Sequence, residues 1–270
     1  MTDDPRLSLR EVSNTTGICL ATTFRIARKK LGLFPYKIQI VQKMEHQDRP
    51  NRRAFARTLL RRSTADRDYI RKIAFTDEAT FSVDQVVNRH NCRIWGTENP
   101  HETFEKPRVS PKVQVWCGVH HSQIVGPYFF EEPTVTGANY LEMLQTYAIP
   151  QLNRIPHLVF QQDGAAPHWS RAVRAYLDDA FPDNWIGRGG PTAWLARSPD
   201  FTPCDFFLWG YVKDRVYKTP VNDIDHLKEK IREAVASVTP DMLAATWREL
   251  RRRLVFLRDH NGDHVEVFRP

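Results

Sequence analysis

From Arg71 onward the chain alternates short apolar runs with amphipathic stretches, and that alternation limits what it can fold into. KIAFTDEATF is apolar and ends among acids, while KVQVWCGVH and QIVGPYFFE have the apolar texture of strands with a short polar turn between them. TGANYLEMLQTYAIPQL has helical spacing, with Tyr140, Leu141, Leu144 and Tyr147 on one face. HLVFQQD reads as a buried strand ending in Asp163, SRAVRAYLDDAF as a helix and NWIG as a short strand. The order strand, strand, strand, helix, strand, helix, strand, helix predicts an α/β body: a mixed sheet with helices packed on it. In the last helix, DMLAATWRELRRRLVFL, residues Trp247, Leu250, Leu254 and Leu257 form a core stripe, with Arg251, Arg252 and Arg253 on the solvated side.

The segment before this body differs in both texture and charge. LREVSNTTGICLATTFRIARKKLGLFPY gives a short apolar face at Leu9 and Val12, a break at Gly17, and a second helix carrying Phe24, Ala27 and Leu31. Two short helices joined by a tight glycine turn form a helix-turn-helix pattern, whose second helix meets base edges in the major groove when the module binds DNA. Here that helix is rich in suitable side chains: Thr22, Thr23, Arg25, Arg28, Lys29 and Lys30. Residues 1–67 hold 15 Lys/Arg against 6 Asp/Glu, and the remainder 24 against 26. A basic first quarter on a near-neutral body fits contact with a phosphate backbone. Between Pro35 and Tyr69 lies a basic linker that reads as helical from Arg52 to Arg62, with Ala54, Phe55, Leu59 and Leu60 apolar. Its Lys37, Arg52 and Arg53 are further candidates for phosphate contact, and a solvated helix face accounts for them equally well.

Other classes are disfavoured. MTDDPRLSLR has no apolar run after a basic stretch, so no signal peptide is expected, and the longest apolar runs fall far short of a membrane span. The four cysteines, Cys19, Cys92, Cys117 and Cys204, are widely spaced and read as idle or buried thiols rather than a zinc site.

Several carboxylates stand out. IAFTDE puts Asp77 at the end of the first strand, and FQQDGAAPH puts Asp163 at the end of the fourth, before small residues that leave space over it. In open α/β sheets ligands gather beyond the carboxyl ends of strands. SPDFTPCDFF adds Asp200 and Asp205. Thr202, Pro203 and Asp205 fit a capped helix start, and SPDF fits a turn, so spacing alone leaves ligand and cap both open. Glu78 points to the opposite face from Asp77 by strand alternation. His168 reads as a hydrogen-bonded structural histidine or a positioning residue.

LGLFPYKIQ, FTDEATF, NRHNCRIWG, SPKVQVWCGV, GPYFFEE, FQQDGAAPHW, RSPDFTPCDFFLWGYVKDRVY and TWRELRRRL, in that order, resemble the mariner-type (Tc/mariner superfamily) DNA transposases of the DD(E/D) group over nearly the whole chain. The resemblance implies a ribonuclease H-like α/β fold preceded by a small all-α helix-turn-helix module. It divides the chain into that module at 1–34, the linker at 35–68 and a catalytic domain at 69–270. It assigns Asp77, Asp163 and Asp205 as catalytic residues and metal ligands and leaves Asp200 as a turn residue. It implies metal-dependent DNA cleavage and strand transfer with two Mg²⁺ (or Mn²⁺) ions. The implied partner is double-stranded DNA (transposon terminal inverted repeats and target DNA), and the implied setting is a homodimer in the nucleus, with no membrane and no small-molecule cofactor.

The sequence also departs from the family. Members carry two helix-turn-helix units, so an N-terminally truncated member is expected, and Ala166, Leu195 and Ala196 stand where members often have prolines. A domesticated or inactive remnant that only binds DNA is the alternative. A cellular ribonuclease of the same fold leaves the helix-turn-helix without a purpose.

Overall fold

The computed structural model describes residues 7–35, 41–84, 110–195 and 197–265. It divides into two compact units, Met1–Val41 and Gln42–Pro270.

In the first unit, α1 (Leu9–Thr16) is opened by a reciprocal cap. The Glu11 N–H donates to Ser8 Oγ at 3.2 Å and the Ser8 N–H to Glu11 Oε2 at 2.7 Å. The helix ends at Gly17, whose φ of +68° suits glycine. α2 (Leu20–Arg25) then runs on through a π turn, Ile26–Lys30. Among the described residues of this unit, Thr23 and Ala27 are the buried ones. Phe24 and Leu31, read from sequence as part of an apolar face, are 52% and 57% exposed, because a pair of short helices covers one narrow stripe.

The second unit begins with α3 (Asp48–Ala65), followed by β1 (Ile73–Ser82), β2 (Lys112–His120) and β3 (Gln123–Phe130). Next come α4 (Gly137–Met143), continuous through a π turn with α5 (Ile149–Leu152), then β4 (Val159–Gln161), α6 (Arg171–Ala180), β5 (Trp185–Gly187) and β6 (Thr192–Ala193). A π turn at Cys204–Leu208 leads into α7 (Trp209–Val216), and α8 (Ile224–Ala236) and α9 (Pro240–Asp259) complete the unit. The six strands lie in the order β3-β2-β1-β4-β5-β6. β1, β2 and β3 pair antiparallel, and β4, β5 and β6 join β1 in parallel. This is the mixed sheet the sequence predicts, with one further short strand. No helix among the described residues is long and apolar enough to cross a membrane.

Strand alternation separates two cores. Phe75, Phe81, Val115 and Cys117 face α3, α7, α8 and α9, while Ala74, Trp116 and Phe160 face α4, α5 and α6. The stripe Trp247, Leu250, Leu254 and Leu257 is buried as read. α3, read as linker, is part of this body, with Phe55, Ala56 and Leu59 in the core.

Two arginines are corrected by the structure. Arg52, a sequence candidate for DNA contact, is fully buried. Its guanidinium grips Asp200 with both forks, Nη1 to Oδ1 at 2.7 Å and Nη2 to Oδ2 at 2.5 Å. It also donates to Gly262 O at 2.8 Å and Ser198 Oγ at 2.9 Å, leaving nothing for a phosphate. Asp200 is therefore more than a turn residue: its Oδ2 also accepts from the Val265 N–H at 3.1 Å. Arg253, placed on the solvated side by its neighbours, is buried and donates to the Asp200 carbonyl and to Glu249. Arg251 and Arg252 are exposed as read. The chain after α9 lies so close to α3 that a Cβ on Gly262 would come within 2.2 Å of the Arg49 carbonyl oxygen.

Removing one partner of a buried pair strands the other charge, which costs about 3–5 kcal/mol. Arg52→Ala should lose about that much in a denaturant titration, and Arg52→Met with Asp200→Leu should recover most of it. An undiminished midpoint in Arg52→Ala would show that the clamp does not hold the fold.

Candidate active site

β1 and β4 run parallel and pair as far as Phe75 opposite Gln161. Beyond that pair the Thr76 hydroxyl still donates to the Gln161 carbonyl at 2.7 Å. Two residues further along each chain stand Asp77 and Asp163, on the same face of the sheet. β1 continues to Ser82, so Asp77 lies in mid-strand, opposite Cys117 of β2, and not at the strand end expected from sequence. The difference arises because β1 outruns its parallel neighbour while remaining paired to β2. Asp205 comes from the π turn before α7, on the same side. All three line one cleft of about 420 Å³, with Thr76, Glu78, Gly164, Trp194, Arg197 and Thr202 among its other walls.

Each acid has its own support. Asp77 Oδ2 accepts from Trp209 Nε1 at 2.8 Å. Asp163 Oδ1 accepts from the Ala165 N–H at 2.9 Å and lies 2.6 Å from His168 Nδ1. The other ring nitrogen of His168 lies 3.3 Å from Glu78 Oε2, so the imidazole bridges two carboxylates beyond the end of β4. Glu78 alternates with Asp77 along β1, yet its side chain still reaches the wall of the same cleft, where it meets His168. Tyr140 packs on the imidazole, centroids 4.1 Å apart, and its hydroxyl donates to Gln162 Oε1 at 3.1 Å. His168 is thus built in as a positioning residue. Asp205 lies within a π turn that has no side-chain cap, and its N–H donates to the Thr202 carbonyl, so the capping box left open by the sequence does not form, although the Thr202 side chain bonds the Asp205 carboxyl.

Electrostatics separates the three acids. Burial and repulsion from Asp205 and Glu78 hold Asp77 well above the ordinary carboxylate range, against the opposing bond from Trp209. Asp205 is exposed at the cleft mouth, yet crowding by the cleft walls and repulsion from Asp163 and Asp200 push it up to about 6, against the opposing hydrogen bond from Thr202. Burial would raise Asp163 too, but His168 and the Ala165 N–H outweigh it, and the group lies below its usual value. Burial opposes a charge on His168, but the flanking Glu78 and Asp163 carboxylates prevail and raise it to about 10. Cys117 and Cys204 are buried beside Asp77, which pushes both thiols up and keeps them neutral.

The donor set suits a hard divalent cation: three carboxylates whose mutual repulsion a cation would relieve, and a fourth carboxylate oxygen, Glu78 Oε1, buried without a hydrogen-bond partner. Among the described residues no three such side chains close into a tight metal cage. Mg²⁺ binds through one or two carboxylates and keeps its waters, so it does not require one.

Of the sequence candidates for DNA contact, Arg25, Lys29 and Lys30 are exposed and Thr22 and Arg28 half-buried. Arg28 lies over the Phe34 ring at 4.0 Å. Thr23 is corrected: it is buried, and its hydroxyl donates within the turn to the Ile18 and Cys19 carbonyls. Arg53 is half-buried, with its Nε donating to the Arg258 carbonyl at 3.2 Å. Lys37 lies outside the described residues. Sequence reasoning missed Trp209 as a support for Asp77. A signal was present, since Trp209 lies four residues after Asp205 and so one turn along the same helix.

The sheet order and the acidic cleft over β1 and β4 define a class, the ribonuclease H-like α/β domain. Solved structures make the likeness more particular: the fold is that of the Mos1 mariner transposase. The Mos1 transposase paired-end complex with left transposon end superposes with a TM-score of 0.75 at 18% identity, over 97% of this chain and 76% of that one. The pre-cleavage Mos1 transpososome gives 0.76 at 18% identity with the same coverage. The catalytic domain of Mos1 alone gives 0.62 at 18% identity, over 83% of this chain and 98% of that one. No protein-family profile and no curated protein sequence matches the chain.

The raised carboxyl at Asp205 predicts a pH signature. Its folded value of about 6 exceeds the unfolded value of about 3.9, so between those values the folded state binds the extra proton. Stability from this group is complete below about pH 4 and is lost as the pH rises through about 6. In chelator, Asp205→Asn should therefore melt higher than wild type near neutrality and equally in acid. A variant that melts lower at neutral pH would remove the repulsion argument.

Proposed function

We propose that this chain is a metal-dependent DNA endonuclease and strand transferase of the mariner transposase type. The observation that carries the reading is that Asp77, Asp163 and Asp205, separated by most of the domain in sequence, line one cleft of a ribonuclease H-like sheet. The likeness to Mos1, whose structures include a mariner paired-end complex with Mn and another with Mg, supports the metal class.

Asp77 and Asp163 would share the two ions and Asp205 would complete the second position. Bound there, Mg²⁺ or Mn²⁺ would neutralise charge on the phosphodiester and favour a deprotonated water or 3′-hydroxyl as nucleophile. Trp209 fixes one carboxylate oxygen of Asp77, and His168 with the Ala165 N–H holds Asp163 ionised. Asp205, on a turn, is half-protonated near pH 6 and becomes a full ligand above it. In the first unit, Thr22, Arg25, Arg28, Lys29 and Lys30 offer hydroxyls and cations to double-stranded DNA, with transposon ends and target as the natural substrates. A homodimer acting in the nucleus goes with this reading.

A second reading is a DNA-binding protein that does not cut, for which the exposed Arg25, Lys29 and Lys30 of the first unit suffice.

Nicking of supercoiled DNA separates the two. Purified protein with Mg²⁺ or Mn²⁺ should nick, and chelator should stop it. Asp163→Asn and Asp205→Ala should each lose more activity than the about 10–100-fold that removal of an outer-shell partner costs, with DNA affinity nearly intact. Binding without nicking by the wild-type chain would favour the second reading, and equal loss of binding and nicking in Asp163→Asn would count against its metal role.

A further inference from the structure

The loop after Asp163 carries a cluster that the catalytic reading does not use. Trp169 is 38% exposed. The guanidinium carbon of Arg174, from α6, lies 4.2 Å from its ring centroid, and that of Arg188, from the turn after β5, lies 4.6 Å away. Gly189 (φ +76°) packs its backbone directly on the ring, where a Cβ would come within 2.4 Å. Two separate segments, α6 and the turn after β5, thus converge on one indole.

Neither guanidinium has an ion pair or hydrogen bond among the described residues, and Arg174 Nε is buried without a partner. Asp178, one turn along α6 from Arg174, accepts instead from Trp185 Nε1 at 2.9 Å. The Arg188 stem lies 3.8 Å from where a Cβ on Gly164 would be, and Gly164 follows Asp163 in the chain. Arg188 therefore stands at the lip of a cleft lined by carboxylates, and Arg174 shares its indole.

We propose that Trp169, Arg174 and Arg188 form a phosphate clamp for a DNA strand passing Asp163. The proposal rests on the nuclease reading and adds a site to it. Guanidinium forks match phosphate oxygens in pairs, and stacking on an indole holds the forks in place before the strand arrives. The two guanidinium carbons lie within about 9 Å of each other, a span that reaches neighbouring phosphates on a strand with one charge per about 3.4 Å of axis. The carboxylates of the cleft repel the same strand, and the Arg188 cation at its lip offsets that repulsion.

The test is equilibrium binding of the full chain to a duplex of arbitrary sequence, in chelator, across a range of salt. Each lost phosphate contact lowers the slope of log K against log salt by about 0.9, so Arg174→Ala with Arg188→Ala should lower it by about 1.8 and Arg188→Ala alone by about 0.9. Trp169→Ala should weaken binding with both charges kept, and Trp169→Phe should restore most of it. Melting curves confirm that each variant is folded, and the exposed Arg188 keeps the test open if Arg174→Ala does not fold. Arg232→Ala, which removes a cation stacked on Phe129 beside β3, should leave the slope unchanged.

An unchanged slope in the clamp variants would overturn the clamp, as would an equal fall in Arg232→Ala. If wild-type nicking persists in either case, the nuclease reading stands without the clamp. A clamp-dependent slope in a protein that never nicks keeps the clamp and removes the nuclease reading alone. A wild-type chain that binds no DNA overturns both.

Discussion

The parallel pairing of β1 with β4 is the constraint on which the site depends. Register in a sheet is strict because a one-residue slip turns every side chain to the other face. Here the slip is prevented on both sides at once: Phe75 and Val159 are fixed in one core and Ala74 and Phe160 in the other. That register brings Asp77 and Asp163 level and places Glu78 where His168 can join it to Asp163 beyond the end of β4. The third acid arrives by a separate route, on the π turn that follows the Asp200 turn held by Arg52 and Arg253.

Much of this was legible in the chain. The order of strands and helices follows from apolar periodicity, and the core stripe of α9 from its spacing. What was not legible follows from the limits of local pattern. A run of alternating residues does not say where pairing with one neighbour stops while pairing with another continues, so Asp77 was read as a strand end. Arg52 and Arg253 look like solvated charges because each is flanked by other arginines, and their partners are 148 and 53 residues away in sequence. The same blindness applied to Thr23, whose hydroxyl is consumed by its own turn. The choice between Asp200 and Asp205 rested on resemblance. The structure gives the two residues different surroundings: Asp200 is locked in a buried guanidinium fork, and Asp205 faces the cleft.

Charge is used in two opposed ways within one small region. Beneath the SPDF turn, opposite charges are matched closely and excluded from water, an arrangement that resists removal of either partner. In the cleft above, like charges are crowded, and two of the three acids are pushed toward their neutral forms. Such crowding is tolerable because the surrounding sheet and clamp hold the carboxylates where they would not gather of their own accord. A cation entering the cleft would meet ligands already placed, and by mass action would return stability to the fold.

The continuation of β1 past β4 has a mechanical consequence. Asp77 is tied into the ladder with β2 on one side and to an indole from α7 on the other, so it has almost no travel. Asp163 and Asp205 stand on a loop and a turn, held by single side chains. The cleft therefore has one fixed jaw and two that can be adjusted, and a ligand that changes shape while bound there would be followed by the adjustable pair and measured against the fixed one.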